Sequence, residues 1–247
     1  MEITEHIRVV DREGRSLAEA AEKAGVDAEV ATCPGWRIRD LVRHQGQVHR
    51  WATGFLAEGL TERRPLPDAP PGIDGDGLLA WYREGHERLV DTLTRAPLDL
   101  ECFAFLPAPS PLAFWARRQA HETTVHRVDA ESALGRAAGD ASTTVGTAFA
   151  VDGIDELLTG FHARSRSRVR SDPPRVLGVR ATDAEAAWAV RITQDPPAAE
   201  RGATGDAECE VSGPAARLYL ALWNRLPFPE VSGDAGLAAL WREHSGV

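Results

Sequence analysis

Cysteine is scarce. Cys33, Cys102 and Cys209 are odd in number and far apart, with no CxxC pair. Neither a disulfide framework nor a structural zinc knuckle is supported by that pattern. Lysine is all but absent, Lys23 being the single one, so the basic charge is arginine, as the codon bias of a GC-rich genome would give. Basic charge is also short overall: 28 Lys and Arg against 37 Asp and Glu leave a net charge of −9. A chain this acidic has no electrostatic reason to seek phosphate backbones or anionic bilayers, so neither nucleic acid nor a membrane is an expected partner. No apolar run approaches the roughly 18 residues of a transmembrane helix. The acidic start Met1-Glu2-Ile3-Thr4-Glu5 lacks the basic-then-apolar signature of a signal peptide. A cytoplasmic location is the expectation, with a monomer or a dimer as the assembly.

What is present suffices for a core. The 247 residues are 43% hydrophobic and 26% charged, ordinary for a soluble globular chain. No metal is needed merely to fold. Residues 2–25 carry Ile3, Ile7, Val10, Leu17, Ala21 and Ala24 at mostly helical spacing, weakened by Gly14. Cys33-Pro34-Gly35-Trp36 breaks the chain before a second helix from Ile38 to Leu56. The Pro- and Gly-rich run Arg64–Gly77 reads as a loop, and a third helix follows from Leu78 to Arg95. Ser110-Pro111 supplies an N-cap and a first-turn proline for a fourth, running to about Leu134. Four such helices predict a four-helix bundle.

The second half changes character after Gly135–Asp140. One more helix is expected from Thr144 to Ser165, with Arg164–Arg170 as its solvated end and loop. Arg175–Ala181 and Ala187–Thr193 read as strands around a turn, Glu208–Val211 as a third, and Pro214–Asn224 as a helix. Pro229–Ser232 and Ala235–Arg242 read as a last strand and helix. The organisation predicted is a bundle over residues 1–141 and a small α+β domain over 142–247.

The fourth helix carries the chemistry. At about 100° per residue, Glu122 and His126 lie about 40° apart on one face, in a stripe shared with Trp115, Gln119, Asp129 and Ala133. Ionisable groups on a core-facing stripe must be paired, protonated or bound to a metal. A plain Glu–His hydrogen bond would satisfy the pattern as well. His121 and His126 are about 140° apart and cannot clamp one ion, which excludes a zincin HExxH site. On the second helix, His44 and His49 each fall about 70° from the centre of the apolar face, on opposite sides, and periodicity does not choose between them. Either one with Glu122 and His126 would make a His, Glu, His set: three protein ligands and an open position, the pattern of a catalytic site.

Thr32-Cys33-Pro34-Gly35-Trp36-Arg37-Ile38-Arg39-Asp40-Leu41-Val42-Arg43-His44 resembles the approach to helix two in the mycothiol-dependent maleylpyruvate isomerase family, metal-binding relatives of the DinB/YfiT-like bundles. Ala120-His121-Glu122-Thr123-Thr124-Val125-His126-Arg127 is similar to that family's ExxxH helix. Val151–Leu158 and Glu210–Ala216 are similar to its sterol-carrier-protein-like C-terminal domain. The resemblance implies a DinB-like four-helix bundle followed by that α+β domain. It also implies that the metal ligands are His44, Glu122 and His126. It implies a catalytic and substrate-binding arginine, at Arg225 or the nearby Arg217, with Arg225 at the matching point. His49, beside Arg50 and Trp51, is then expected as an outer contact to the ligands or a co-substrate contact at the cleft mouth.

The cofactors so implied are a divalent metal (Zn²⁺ first, Ni²⁺ or Fe²⁺ acceptable) and the sugar thiol mycothiol as co-substrate. Thiolate would add to a cis double bond of an unsaturated keto acid, the new single bond would rotate, and elimination would leave the trans isomer. None of the chain's cysteines is needed; Cys33 is expected as a small buried residue. Transfer of the thiol to another electrophile is the second activity the resemblance allows. A non-catalytic metal- or ligand-binding module and a purely structural bundle are the readings of other classes.

Overall fold

The computed structural model describes residues 1–135, 144–202 and 204–246, in two compact units, Met1–Ala138 and Gly139–Val247. The expected 141/142 boundary and most of the Gly135–Asp140 break lie outside the described residues.

The first unit is a bundle of α1 (Ile3–Ala24), α2 (Ile38–Glu58), α3 (Gly75–Arg95) and α4 (Pro111–Ser132). Each helix packs on two neighbours, in the cyclic order α1, α4, α2, α3. Their caps follow the sequence. Ser110 accepts from the Ala113 amide at 3.1 Å, with Pro111 in the first turn of α4, and the Asp40 carboxylate accepts from the Arg37 amide at 2.9 Å. The break before α2 is a turn in which the Trp36 amide donates to the Cys33 carbonyl, with Pro34 second and Gly35 third at φ 87°. That positive φ is what a type II turn demands of its third residue, and glycine meets it without strain.

Gly14, which weakens the sequence pattern of α1, has a packing reason. A Cβ there would lie 2.2 Å from the His86 imidazole, and Tyr82 Oη donates to the Gly14 carbonyl at 3.2 Å. The glycine lets α3 bring two rings against the α1 backbone. Gly14→Ala is expected to lower stability by about 1–3 kcal/mol, the usual cost of overpacking, read as a fall in melting temperature. The proline-rich loop after α2 is strapped to that helix at three points one turn apart: Trp51 Nε1 to the Arg64 carbonyl, Gln47 to Pro67 and Arg43 to Ile73, all at 2.8–2.9 Å. α4 is buried on nearly every side. Its interior charge is paired, Arg127 donating to Glu13 at 2.7 Å and to Glu131 at 2.9 Å.

The second unit is α+β. α5 (Thr147–Asp155) widens into an i→i+5 stretch over Glu156–Phe161, and is followed by β1 (Arg175–Ala181), β2 (Ala186–Ile192), β3 (Ala198–Arg201) and β4 (Cys209–Gly213). Then come α6 (Ala215–Leu222), β5 (Glu230–Gly233) and α7 (Ala235–His244). The sheet order is β3-β2-β1-β4-β5, antiparallel except for the parallel β1–β4 pair. The sequence reading missed β3. That strand is short, follows Pro196-Pro197 and presents no buried side chain, so it carries no period-2 signal. In the Arg164–Arg170 segment, expected to be solvated, Ser165, Arg166 and Arg168 are exposed, Arg164, Ser167 and Arg170 are half-buried, and Val169 is buried. The three cysteines form no disulfide, and Cys33 is half-buried rather than buried, because its loop packs against the core from outside. Among the described residues, no helix is long and apolar enough to cross a membrane.

Candidate metal centre

Three side chains from α2 and α4 converge. Glu122 Oε1 lies 3.5 Å from His44 Nε2 and 3.4 Å from His126 Nε2, and the candidate ligand atoms of all three lie within 4.8 Å of one another. A tetrahedral ion with metal–ligand distances of about 2.0–2.1 Å needs ligand atoms about 3.3 Å apart. Both Glu122 edges already meet that spacing. The donors, two imidazoles and one carboxylate, suit Zn²⁺ and tolerate neighbouring transition metals. His44 and Glu122 keep 30% and 22% of their side-chain surface, so the set is open on one side to a small molecule.

The surroundings set the charge of these groups in the metal-free protein, where an ion would have to displace the proton that His126 holds. Burial alone would raise the Glu122 pKa, but its contacts with His126 and His44 and the Arg118 charge hold it well below the usual carboxylate range. Arg118 approaches its other oxygen at 3.2 Å. Burial works against charge on His126 too, yet Asp129 and Glu122 push its pKa up to about 9. Asp129 is fully buried, with Oδ2 2.9 Å from His126 Nδ1, while its Oδ1 accepts from Thr32 Oγ1 at 2.6 Å. A carboxylate on Nδ1 keeps the proton there and turns Nε2 toward Glu122, the usual arrangement around a metal-bound histidine. The Trp36 ring stacks on His126 at 6.4 Å and meets the His44 edge at 5.3 Å, closing one flank.

The two histidines that periodicity left tied have different fates. His44 joins Glu122 and His126. His49 is fully buried among Gln45, Thr123, Tyr82 and His86, so it does not stand at a cleft mouth. Its side of α2 turns inward toward α3, where burial and the neighbouring His86 hold its pKa well below the ordinary value. Arg225 follows α6 in the second unit. Its amide donates to the Leu220 carbonyl and its guanidinium to the Trp223 carbonyl at 2.8 Å, after Asn224 takes the left-handed step at φ 63°. It is half-buried, whereas Arg217 is exposed. Sequence reasoning placed Asp129 on the right stripe and gave it no role. Its second partner, Thr32, lies 97 residues away in an irregular turn and leaves no periodic signal.

Comparison with known proteins supplies the family. Residues 7–131 match the family model described as the mycothiol maleylpyruvate isomerase N-terminal domain, and residues 148–240 match that of the MDMPI C-terminal domain. A crystal structure of the mycothiol-dependent maleylpyruvate isomerase superposes with a TM-score of 0.65 at 14% identity, covering 96% of this chain and 94% of that one. A histidine-to-alanine mutant of that isomerase gives 0.62 at 14% identity, covering 91% and 90%. At this identity the likeness speaks for the fold. No curated protein matches the sequence. Two family models in the expected order, on a bundle and an α+β unit of the same architecture, settle the affiliation: the chain belongs to the mycothiol maleylpyruvate isomerase family.

Proposed function

We propose that this protein is a metal- and mycothiol-dependent isomerase acting on a maleylpyruvate-like unsaturated keto acid, with His44, Glu122 and His126 as metal ligands. The observation that carries the reading is the pair of Glu122 edges, 3.5 and 3.4 Å, at tetrahedral spacing in a set open on one side. A divalent ion held there would lower the pKa of a thiol brought to it, so that thiolate is available near neutral pH.

The chain's own groups do the rest. Asp129 keeps the His126 proton on Nδ1 and so leaves Nε2 as a donor. Arg118 offsets the Glu122 charge within the bundle, and Trp36 keeps water off one flank. The thiol comes from outside, so no cysteine of the chain is required. In the substrate, thiolate adds to the cis double bond, the resulting single bond rotates, and elimination restores the double bond as trans and returns the thiol. Arg225 is proposed to bind a substrate carboxylate through a charge-assisted, bidentate contact.

The test is turnover of maleylpyruvate by the full chain with metal and mycothiol supplied together or singly. Isomerisation that needs both and returns the thiol unconsumed is expected. Stoichiometric loss of thiol would replace isomerisation by S-transfer, and no turnover with metal and thiol both present would leave a binding module. Arg225→Ala is expected to weaken a carboxylate-bearing substrate by about 2–3 kcal/mol, roughly 30- to 150-fold in kcat/KM, with metal content unchanged.

A further inference from the structure

Next in the chain to His44 and to Glu122 stand two fully buried polar residues, Gln45 and Thr123. These meet across the α2–α4 seam. Gln45 Nε2 donates to Thr123 Oγ1 at 3.2 Å and lies 2.8 Å from His49 Nε2, which is itself 3.0 Å from Thr123 Oγ1. With the Gln45 amide nitrogen donating, His49 Nε2 accepts, its single lone pair shared between the amide and the Thr123 hydroxyl. One hydroxyl on α4 thus accepts from one residue of α2 and lies within hydrogen-bond distance of a second.

We propose that Gln45, His49 and Thr123 form a positioning clamp that sets His44 against Glu122 and His126, with Thr123 Oγ1 as its centre. The proposal rests on the metal reading above. Glu122 and His126 are four residues apart on one helix, so the helix itself fixes their spacing. His44 comes from the other helix, and its distance depends on how α2 and α4 are spaced and registered. Apolar packing is non-directional and tolerates repacking. A hydrogen bond tolerates only a few tenths of an ångström, and one sealed from water cannot be exchanged for a solvent contact. A metal site needs its ligands within about 0.5 Å of the productive geometry, which apolar contacts alone do not guarantee. A clamp one residue along from the ligands gives the least lever arm for error.

The test uses the full chain, with Zn²⁺ affinity from chelator competition and the absorption bands of the Co²⁺-loaded protein. Thr123→Val keeps the volume and removes both hydrogen bonds, leaving Gln45 and His49 to each other. It is expected to bind Zn²⁺ about 10-fold more weakly, the lower end of the range for groups bonded directly to a ligand because Thr123 acts one contact further out, with shifted Co²⁺ bands and an intact helical spectrum. Thr123→Ser restores the hydroxyl and is expected to return both readouts to within about threefold of the parent. Unchanged affinity and bands in Thr123→Val would overturn the clamp, as would a loss that Thr123→Ser does not rescue. A parent chain that binds neither ion removes the metal reading, and the clamp with it.

Discussion

His44→Ala, Glu122→Ala and His126→Ala are each expected to strip the divalent metal from a bundle that stays folded. Structural zinc sites bind with apparent free energies of about 10–16 kcal/mol, which spread over four ligands is about 2.5–4 kcal/mol each. Losing one of only three protein ligands should therefore weaken binding roughly a hundred- to a thousandfold. The fold survives because the bundle core is apolar and separate, built on residues such as Leu17, Ile38, Leu41, Leu78 and Tyr82. His49→Ala removes no ligand. It leaves a cavity and weakens the Thr123 clamp, so its effect on metal should stay within about 100-fold while its effect on stability is the larger one. Metal titration of the four variants, with melting curves in chelator, checks this ranking. Retention of tight binding by His44→Ala would show that α2 contributes another group.

Asp129→Ala should act twice. With metal supplied, it frees the His126 ring from its orienting partner, and Zn²⁺ affinity is expected to fall about 10- to 100-fold. In the metal-free protein it removes one of two carboxylates beside a histidine whose pKa they raise together, and leaves Thr32 without its shortest hydrogen bond. Breaking a buried charge pair from one side commonly costs about 3 kcal/mol or more, so melting in chelator should fall markedly. Asp129→Asn keeps an acceptor for the Nδ1 proton and is expected to recover most of the metal affinity but not the metal-free stability. Wild-type affinity in Asp129→Ala would mean that the Trp36 stack alone orients His126.

Why some of this was legible and some not comes down to periodicity. α1 to α4 declare themselves by apolar spacing and by real stop signals, Ser110-Pro111 and Pro34-Gly35 among them, so their bounds match closely. Glu122 and His126 share a face by helix geometry alone. His44 and His49 did not separate, because both sit at the margins of the same stripe and the choice depends on which neighbour lies on which side. That is tertiary information, which here came from the resemblance carried by Thr32–His44. β3 escaped because an exposed edge strand of four residues has no alternation to read. Asp129, Thr32 and the Gln45–Thr123 contact escaped because each joins elements whose relative placement no local pattern encodes.

The central claim is that His44, Glu122 and His126 hold one functional divalent ion. Metal analysis of the full chain, purified without chelator and again after reconstitution with Zn²⁺, tests it most directly. Close to one ion per chain is expected, lost in Glu122→Ala. A parent chain that carries no metal as purified and takes up none on reconstitution would contradict it.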